Sequence, residues 1–405
     1  MSKAKIILHI DLNAFFVKCE EIKNPALIGK PTIIGHEGRG GIVSTCSYEA
    51  RKYGVHSGMP TFQAKKLCPN LIVIPGHYDL YEEMSDKFFN FVRRYFSLYE
   101  KASIDECFID ATKELSKVGD VVSYLREFQE TLTKETGLTV SIGVSPTRFL
   151  SKMASDMEKP NGLVILRRRD FKEKIYPLPI ESFFGIGRKT SPELRKMGIN
   201  TIGDLANFIN NKEDESSRFF GKFYYVLKEW VSGYGNDEID VKPWDPKSIG
   251  NSRTLRKDTA SIEEIVPMLK KLAKEVSDRA IEADKIGNSV QLTLKDAEYV
   301  SGFKSITRSK HLDKYTNDYN IIYNTAYTLL ENNLGENPIR LVGVSLNNLI
   351  DKGEELVQLS IFDNFEQIEE ENSTKLLVHE LNRKMKKDVF KTLREKKRDD
   401  KYGNK

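Results

Sequence analysis

Two acidic positions far apart in the sequence constrain this chain more than any other feature. Asp11 closes the apolar run Ile6-Ile7-Leu8-His9-Ile10. Asp105 and Glu106 stand between Ala102-Ser103-Ile104 and Cys107-Phe108-Ile109. Short apolar runs rich in β-branched residues and bounded by charge predict strands. A carboxylate ending one strand and two more at a turn between strands can converge at one end of a sheet. Three carboxylates gathered there repel one another unless cations lie between them. Hard oxygen donors of this kind suit Mg²⁺, which takes a few carboxylates together with substrate phosphates. One reading is phosphoryl chemistry with two metal ions. The other is that the acids cap strand ends and face water, and these three residues alone do not separate the two.

Composition sets outer bounds. A chain of 405 residues is expected to divide into several domains. Its formal charge of +4 agrees with a polyanionic partner but selects none. Cys19, Cys46, Cys68 and Cys107 show no C-x-x-C spacing, so reduced buried thiols in a cytoplasmic protein are expected. The first apolar run is too short for a signal segment and is broken by His9 and Asp11. No apolar stretch is long enough to span a membrane.

Longer motifs separate the two readings of the acids. Asp11-Leu12-Asn13-Ala14-Phe15-Phe16 opens a helix running through Glu20 and Glu21. Ser47-Tyr48-Glu49-Ala50-Arg51-Lys52-Tyr53-Gly54 follows, then Ser103-Ile104-Asp105-Glu106-Cys107-Phe108 and Ser141-Ile142-Gly143-Val144-Ser145. Last comes Lys152-Met153-Ala154-Ser155-Asp156-Met157-Glu158-Lys159-Pro160-Asn161-Gly162. In this order the chain resembles the Y-family DNA polymerases, and within them the DinB branch. The resemblance covers roughly the first 350 residues and is densest before residue 165, where the motifs are long and jointly specific.

The expected fold class is α/β, in a multidomain α+β arrangement. Residues 1–21 and 77–166 read as one unit. Helices are predicted near Asp79–Phe96 and Val118–Thr136, a strand pair around Asp105-Glu106, and a strand over Leu138–Val144. This order is the ferredoxin-like βαββαβ pattern. A segment, 22–76, is inserted after the first helix, with strands at Thr32–Ile34 and Gly41–Thr45. Gly38-Arg39-Gly40-Gly41 lacks the context of a phosphate loop and reads as a hairpin turn. Residues 167–234 look helical and basic, 235–246 form a linker, 247–350 a further domain and 351–405 a tail. Ser248–Asp258, Ser289–Leu294, Phe303–Thr307 and Leu341–Leu346 are predicted strands, and the Ile262–Val276 face has helical spacing. The resemblance implies palm, fingers, thumb and little finger for these parts.

The resemblance also implies roles. Asp11, Asp105, Glu106 and the Leu12 carbonyl would hold two Mg²⁺ ions. Tyr48, Arg51 and Lys159 would bind the β and γ phosphates of a dNTP, joined by Thr45 and by the N–H groups at Phe15 and Phe16. Phe16 would be the steric gate against a 2′-hydroxyl. Asn13 stands where many members carry a second acid and is not counted as a ligand. Thr32, Ile42 and Ser44 would roof the templating base, and their modest size implies an open, low-fidelity site.

Gly185, Gly187 and Lys189 lie in Phe184-Gly185-Ile186-Gly187-Arg188-Lys189-Thr190, which resembles a helix-hairpin-helix gripping DNA backbone, though an ordinary glycine-capped turn has the same pattern. Arg253 and Arg256 sit on a predicted strand and Arg308 just after another, and they could follow a duplex backbone or only face water. Gln358, Leu359, Ile361 and Phe362 resemble the peptide that docks bacterial polymerases on the sliding clamp.

The implied protein is a monomeric translesion DNA polymerase without proofreading, acting on primer-template DNA. A UmuC-branch polymerase, a noncatalytic DNA-binding protein and a nucleotide cyclase are the alternatives. The cyclase would need neither thumb nor little finger.

Overall fold

The computed structural model describes residues 5–242, 244–299 and 303–354. The clamp-like peptide and the tail beyond residue 354 lie outside the described residues. The chain forms one compact unit up to Trp244 and a second from Asp245.

The first unit opens with β1 (Ile7–Leu12), every residue of which is buried. Ala14 then adopts a left-handed backbone (φ 45°) and starts α1 (Phe15–Lys23) with no side-chain cap. The chain next leaves for β2 (Thr32–Ile34), β3 (Thr45–Cys46), α2 (Tyr48–Arg51), α3 (Thr61–Leu67) and β4 (Ile72–Ile74). These pack around their own small core of Ile33, Val43, Cys46, Ala50, Val55, Ala64 and Cys68. Gly41–Ser44 is not a strand as predicted. Ile42 makes an isolated bridge to Pro60, and the left-handed Gly38 and Gly40 turn the chain before β3 begins. β4, which the sequence reading did not identify, pairs in parallel with β2.

The chain returns in α4 (Tyr78–Tyr95), then β5 (Tyr99–Lys101), β6 (Glu106–Asp110), α5 (Thr112–Leu115), α6 (Val121–Thr136), β7 (Val140–Ser145), α7 (Arg148–Met157) and β8 (Leu163–Ile165). The sheet order β5-β6-β1-β7-β8 places β1 at the centre. Without β8 this is the ferredoxin-like βαββαβ arrangement. Ala102–Ile104, predicted as strand, is a turn. The N–H groups of Ala102 and Ser103 both donate to the Glu106 carbonyl, and the Ser103 hydroxyl bonds Asp105. Gly143 lets α7 lie directly on β7. A Cβ there would stand 2.0 Å from the Ser151 carbonyl oxygen and 2.4 Å from the Ser155 nitrogen.

The remainder of this unit is helical: α8 (Phe171–Ile175), α9 (Thr190–Lys196), α10 (Ile202–Asn211), α11 (Glu213–Phe220) and α12 (Phe223–Trp230). Phe149 and Leu150 of α7 join Phe171, Leu194, Leu205 and Leu227 in its core, and Phe149 stacks on Trp230 at 4.7 Å. Thr201 and Asp204 form a reciprocal capping box at the start of α10.

The second unit is a four-stranded antiparallel sheet, ordered β11-β10-β12-β9, with two helices. Its elements are β9 (Ser248–Thr259), α13 (Ile262–Glu282), β10 (Lys285–Tyr299), β11 (Phe303–Thr316), α14 (Tyr319–Asn333) and β12 (Ile339–Asp351). The strands outrun their predicted apolar centres because backbone pairing continues through polar residues. Val290, Leu292, Leu294, Val342, Val344 and Leu346 alternate along β10 and β12 to form the face that meets the helices.

Candidate active site

Antiparallel pairing puts Asp11 opposite Glu106 on one side and Ser141 on the other. Period-two alternation then puts His9 and Asp11 on the same face of β1. Ligand atoms of His9, Asp11 and Glu106 all lie within 4.8 Å of one another. The Asp105 carboxylate is held apart from this trio: it accepts a 2.6 Å hydrogen bond from the Ser103 hydroxyl. Its carbonyl receives the Leu12 N–H at 3.0 Å, which fastens the Asp105 turn to the last residue of β1.

Two ammonium groups reach into the acids. Lys152 on α7 lies 3.2 Å from Asp11 and 2.7 Å from Glu106, and Lys159 lies 2.8 Å from Asp11. Asp156 pairs with Lys159 at 2.7 Å and with Lys152 at 3.7 Å. Burial pushes the Asp11 carboxyl up to about 6, with the neighbouring Glu106 adding to the rise. Burial also acts against the charge on Glu106. The His9 ring 3.7 Å away, the adjoining Asp11 and the Lys152 ammonium at 2.7 Å outweigh it and hold this carboxyl below its usual range. Burial raises Asp105, partly offset by the Ser103 hydroxyl. Oxygen donors this close, already neutralised by two cations, fit divalent metal ions.

The nucleotide-side candidates stand around this cluster. Arg51 lies over the Tyr48 ring at 4.7 Å and donates to the Cys46 carbonyl. The Tyr48 hydroxyl reaches Asn13 at 3.4 Å. Asn13 also accepts from Ser141 at 2.8 Å and donates to Asn161 at 3.1 Å. It thereby joins the palm, α2 and the loop after Lys159. Thr45 is half-buried on β3. Phe15 is buried in the core, whereas half-buried Phe16 stacks on Tyr81 at 4.2 Å and meets Tyr78 edge-on at 5.9 Å.

Sequence reasoning passed over three of these groups. His9 donates to or accepts from the Ser155 hydroxyl at 2.7 Å, and period-two spacing from Asp11 was the signal that could have found it. Lys152 was visible inside a motif but had no role, although its spacing to Asp156 is one helical turn. Asn13 was read only as a missing acid.

The DNA-side candidates are scattered. Gly185 is left-handed (φ 91°) and Gly187 has open space where a side chain would go. Lys189 precedes α9. Arg253 is turned toward the helices, pairing with Glu275 of α13 at 2.9 Å. Arg308 sits opposite buried Leu292 and so shares that helix-side face, at the edge strand. Arg256 is exposed near the end of β9. The sheet face directed away from the helices is neutral at its centre. It carries Ser252 and Thr254, Gly343 and Ser345, Gln291 and Thr293, and Thr307 and Ser309 across the four strands.

A ferredoxin-like sheet with converging acids, a helical unit and a separate sheet unit defines a nucleotide-polymerising enzyme. The impB/mucB/samB family matches residues 10–156, its C-terminal domain residues 246–361, and the IMS family HHH motif residues 168–199. The chain is 37% identical to DNA polymerase IV 1 of Bacillus subtilis over 94% of its own length and 91% of the relative's. It is 38% identical to DNA polymerase IV of Listeria monocytogenes, covering 86% and 96% of the two chains. Among solved structures it matches a Y-family DNA polymerase chimera, Dbh-Dpo4-Dbh, with a TM-score of 0.73 and 27% identity. That match covers 85% of this chain and 99% of the other. The chain belongs to the Y family of DNA polymerases, among the DNA polymerase IV proteins. Its fold is that family's palm, fingers, thumb and little finger, and its activity is metal-dependent, DNA-directed DNA polymerisation of the translesion type.

Proposed function

We propose that Asp11, Asp105, Glu106 and the Leu12 carbonyl hold two Mg²⁺ ions for nucleotidyl transfer from a dNTP to a primer 3′-hydroxyl. The observation that carries this reading is the meeting of Asp11 and Glu106 around the Lys152 ammonium. When bound, the ions activate the attacking oxygen and neutralise the departing pyrophosphate. The chain's own groups do the positioning. Arg51 offers a planar fork of donors, Lys159 a point charge and Tyr48 and Thr45 hydroxyls for the β and γ phosphates. The uncapped N-terminus of α1 offers N–H groups at Phe15 and Phe16 to the same anion. Phe16, fixed by its stack on Tyr81, takes the space of a 2′-hydroxyl.

Primer-template DNA is gripped by the turn at Gly185, Gly187 and Lys189, and by the neutral face of the second unit with Arg256 at its margin; Arg308, on the edge strand, would reach the backbone from the helix side. Side-chain hydroxyls and amides on this face can donate to phosphates without reading sequence. The domain limits given above are kept: 1–21 and 77–166 palm, 22–76 fingers, 167–234 thumb, 247–350 little finger. Gln358, Leu359, Ile361 and Phe362 dock the chain on the sliding clamp. The enzyme acts as a cytoplasmic monomer and lacks proofreading. No helix among the described residues is long and apolar enough to cross a membrane.

Asp105→Ala tests the metal assignment where the geometry is least direct. Primer extension should be lost while mobility shift shows primer-template binding retained. Extension near the wild-type rate would remove Asp105 from the ligand set.

A further inference from the structure

The position of Lys152 matters beyond its charge. Its side chain is 12% exposed, and its ammonium touches both Asp11 and Glu106. A divalent ion held by those two carboxylates would compete with the ammonium for their oxygens. Gly143 lets the backbone of α7, which carries Lys152, pack directly on β7, so the simplest exchange moves the side chain and leaves the helix in place. A second acid stands ready to receive it: Asp156, one turn along the helix, is 48% exposed and already 3.7 Å from the Lys152 ammonium. Lys159 is arranged in the same way, between Asp11 at 2.8 Å and Asp156 at 2.7 Å.

We propose that Lys152 is the resident counter-ion of the catalytic acids, and that a divalent ion enters by displacing its ammonium toward Asp156. The proposal rests on the metal-ion reading given above. It has a thermodynamic consequence. The binding-competent arrangement, with the lysine swung out, is a minor population in the metal-free protein, and apparent metal affinity is reduced by that fraction. The same contact keeps buried carboxylates paired when no metal is present, so it trades metal affinity for stability of the empty site.

The test is Mn²⁺ binding to the full-length protein without DNA or nucleotide, followed by electron paramagnetic resonance of the free ion. Lys152→Met keeps the aliphatic stem and removes the charge. Its Kd for Mn²⁺ should fall roughly tenfold, a shift of the size a single displaced charge contact produces. Lys152→Arg keeps the charge and should bind as the wild type does. Thermal melting supplies a second reading: Lys152→Met should melt lower in EDTA and gain more from added Mn²⁺. Asp11→Asn serves as the control for where the ion binds. If Lys152→Met matches the wild-type Kd while Asp11→Asn weakens binding, the exchange is wrong and the metal site stands. If Asp11→Asn also binds as wild type, the ion sits elsewhere and both readings fall. A lower melting temperature with unchanged Mn²⁺ affinity reduces Lys152 to a structural ion pair and overturns the proposal.

Discussion

The two main sheets of this protein handle charge in opposite ways. The palm sheet gathers its charges at one end of β1, partly buried and touching, so that Asp11, Glu106, Lys152 and Lys159 form one cluster. The second-unit sheet keeps the centre of its helix-free face neutral and ties Arg253 to Glu275 on the helix side. Bond making needs a strong field at one point, and that field exists only where water is scarce. Holding a polymer of any sequence needs many weak, interchangeable contacts instead. The lesson is that single substitutions should be severe in the first sheet and mild in the second.

Asp11→Asn should sharpen the contrast most. It keeps the shape of the residue and removes the charge shared by both lysines, so single-turnover extension should fall by about a thousandfold or more. Primer-template Kd should change little. A comparable loss of DNA affinity would break the division of labour between the sheets.

Phe16→Ala should come next. dNTP insertion should persist, slowed by looser positioning. The rNTP/dNTP efficiency ratio should rise by orders of magnitude, since each roughly 1.4 kcal/mol of lost exclusion is tenfold. Matched dCTP and rCTP opposite template guanine give the ratio. If Phe15→Ala raises it and Phe16→Ala does not, the gate is one residue earlier.

In the second unit, Thr293→Val should alter DNA affinity by less than about threefold, whereas Thr293→Glu should weaken it by roughly tenfold and more at low salt. Equal effects from the two changes would show that this face is not directed at a polyanion. The smallest effect is expected from Arg253→Gln. Its partially exposed pair with Glu275 is worth about 0–1 kcal/mol, so urea unfolding should barely move. DNA affinity should hold as well, because the side chain is committed to the helix side.

The same contrast explains what the sequence made legible. Asp11 and Glu106 could be brought together from strand ends alone, because a residue closing one strand and another opening its neighbour share an edge. The orientation of Asp105 could not, since it depends on the Ser103 hydroxyl in a turn that reads as strand by composition. His9 and Lys152 were hidden by their types: a histidine in an apolar run and a lysine on an amphipathic helix usually mean nothing special. In the second sheet, attention went to cations, and the informative pattern was the alternation Ser289-Val290-Gln291-Leu292-Thr293-Leu294. Period two sorts those residues onto two faces. It does not say which face a helix will cover, and so it could not show that Arg253 and Arg308 share the helix-side face.

Glu20 near the end of α1 accepts hydrogen bonds of 2.7 Å from both His77 and Tyr81, at the start of α4. The points where the chain departs from the palm and rejoins it are thus pinned to each other. Most of what lies between them packs on its own core, while Ile34 and Ile74 reach into the core under the palm sheet. Such a segment is an exchangeable cassette: another loop of different length could be spliced between the same two points while the sheet below kept its register. Evolution, or an engineer, can therefore retune what the active site tolerates overhead without re-solving the folding problem beneath it.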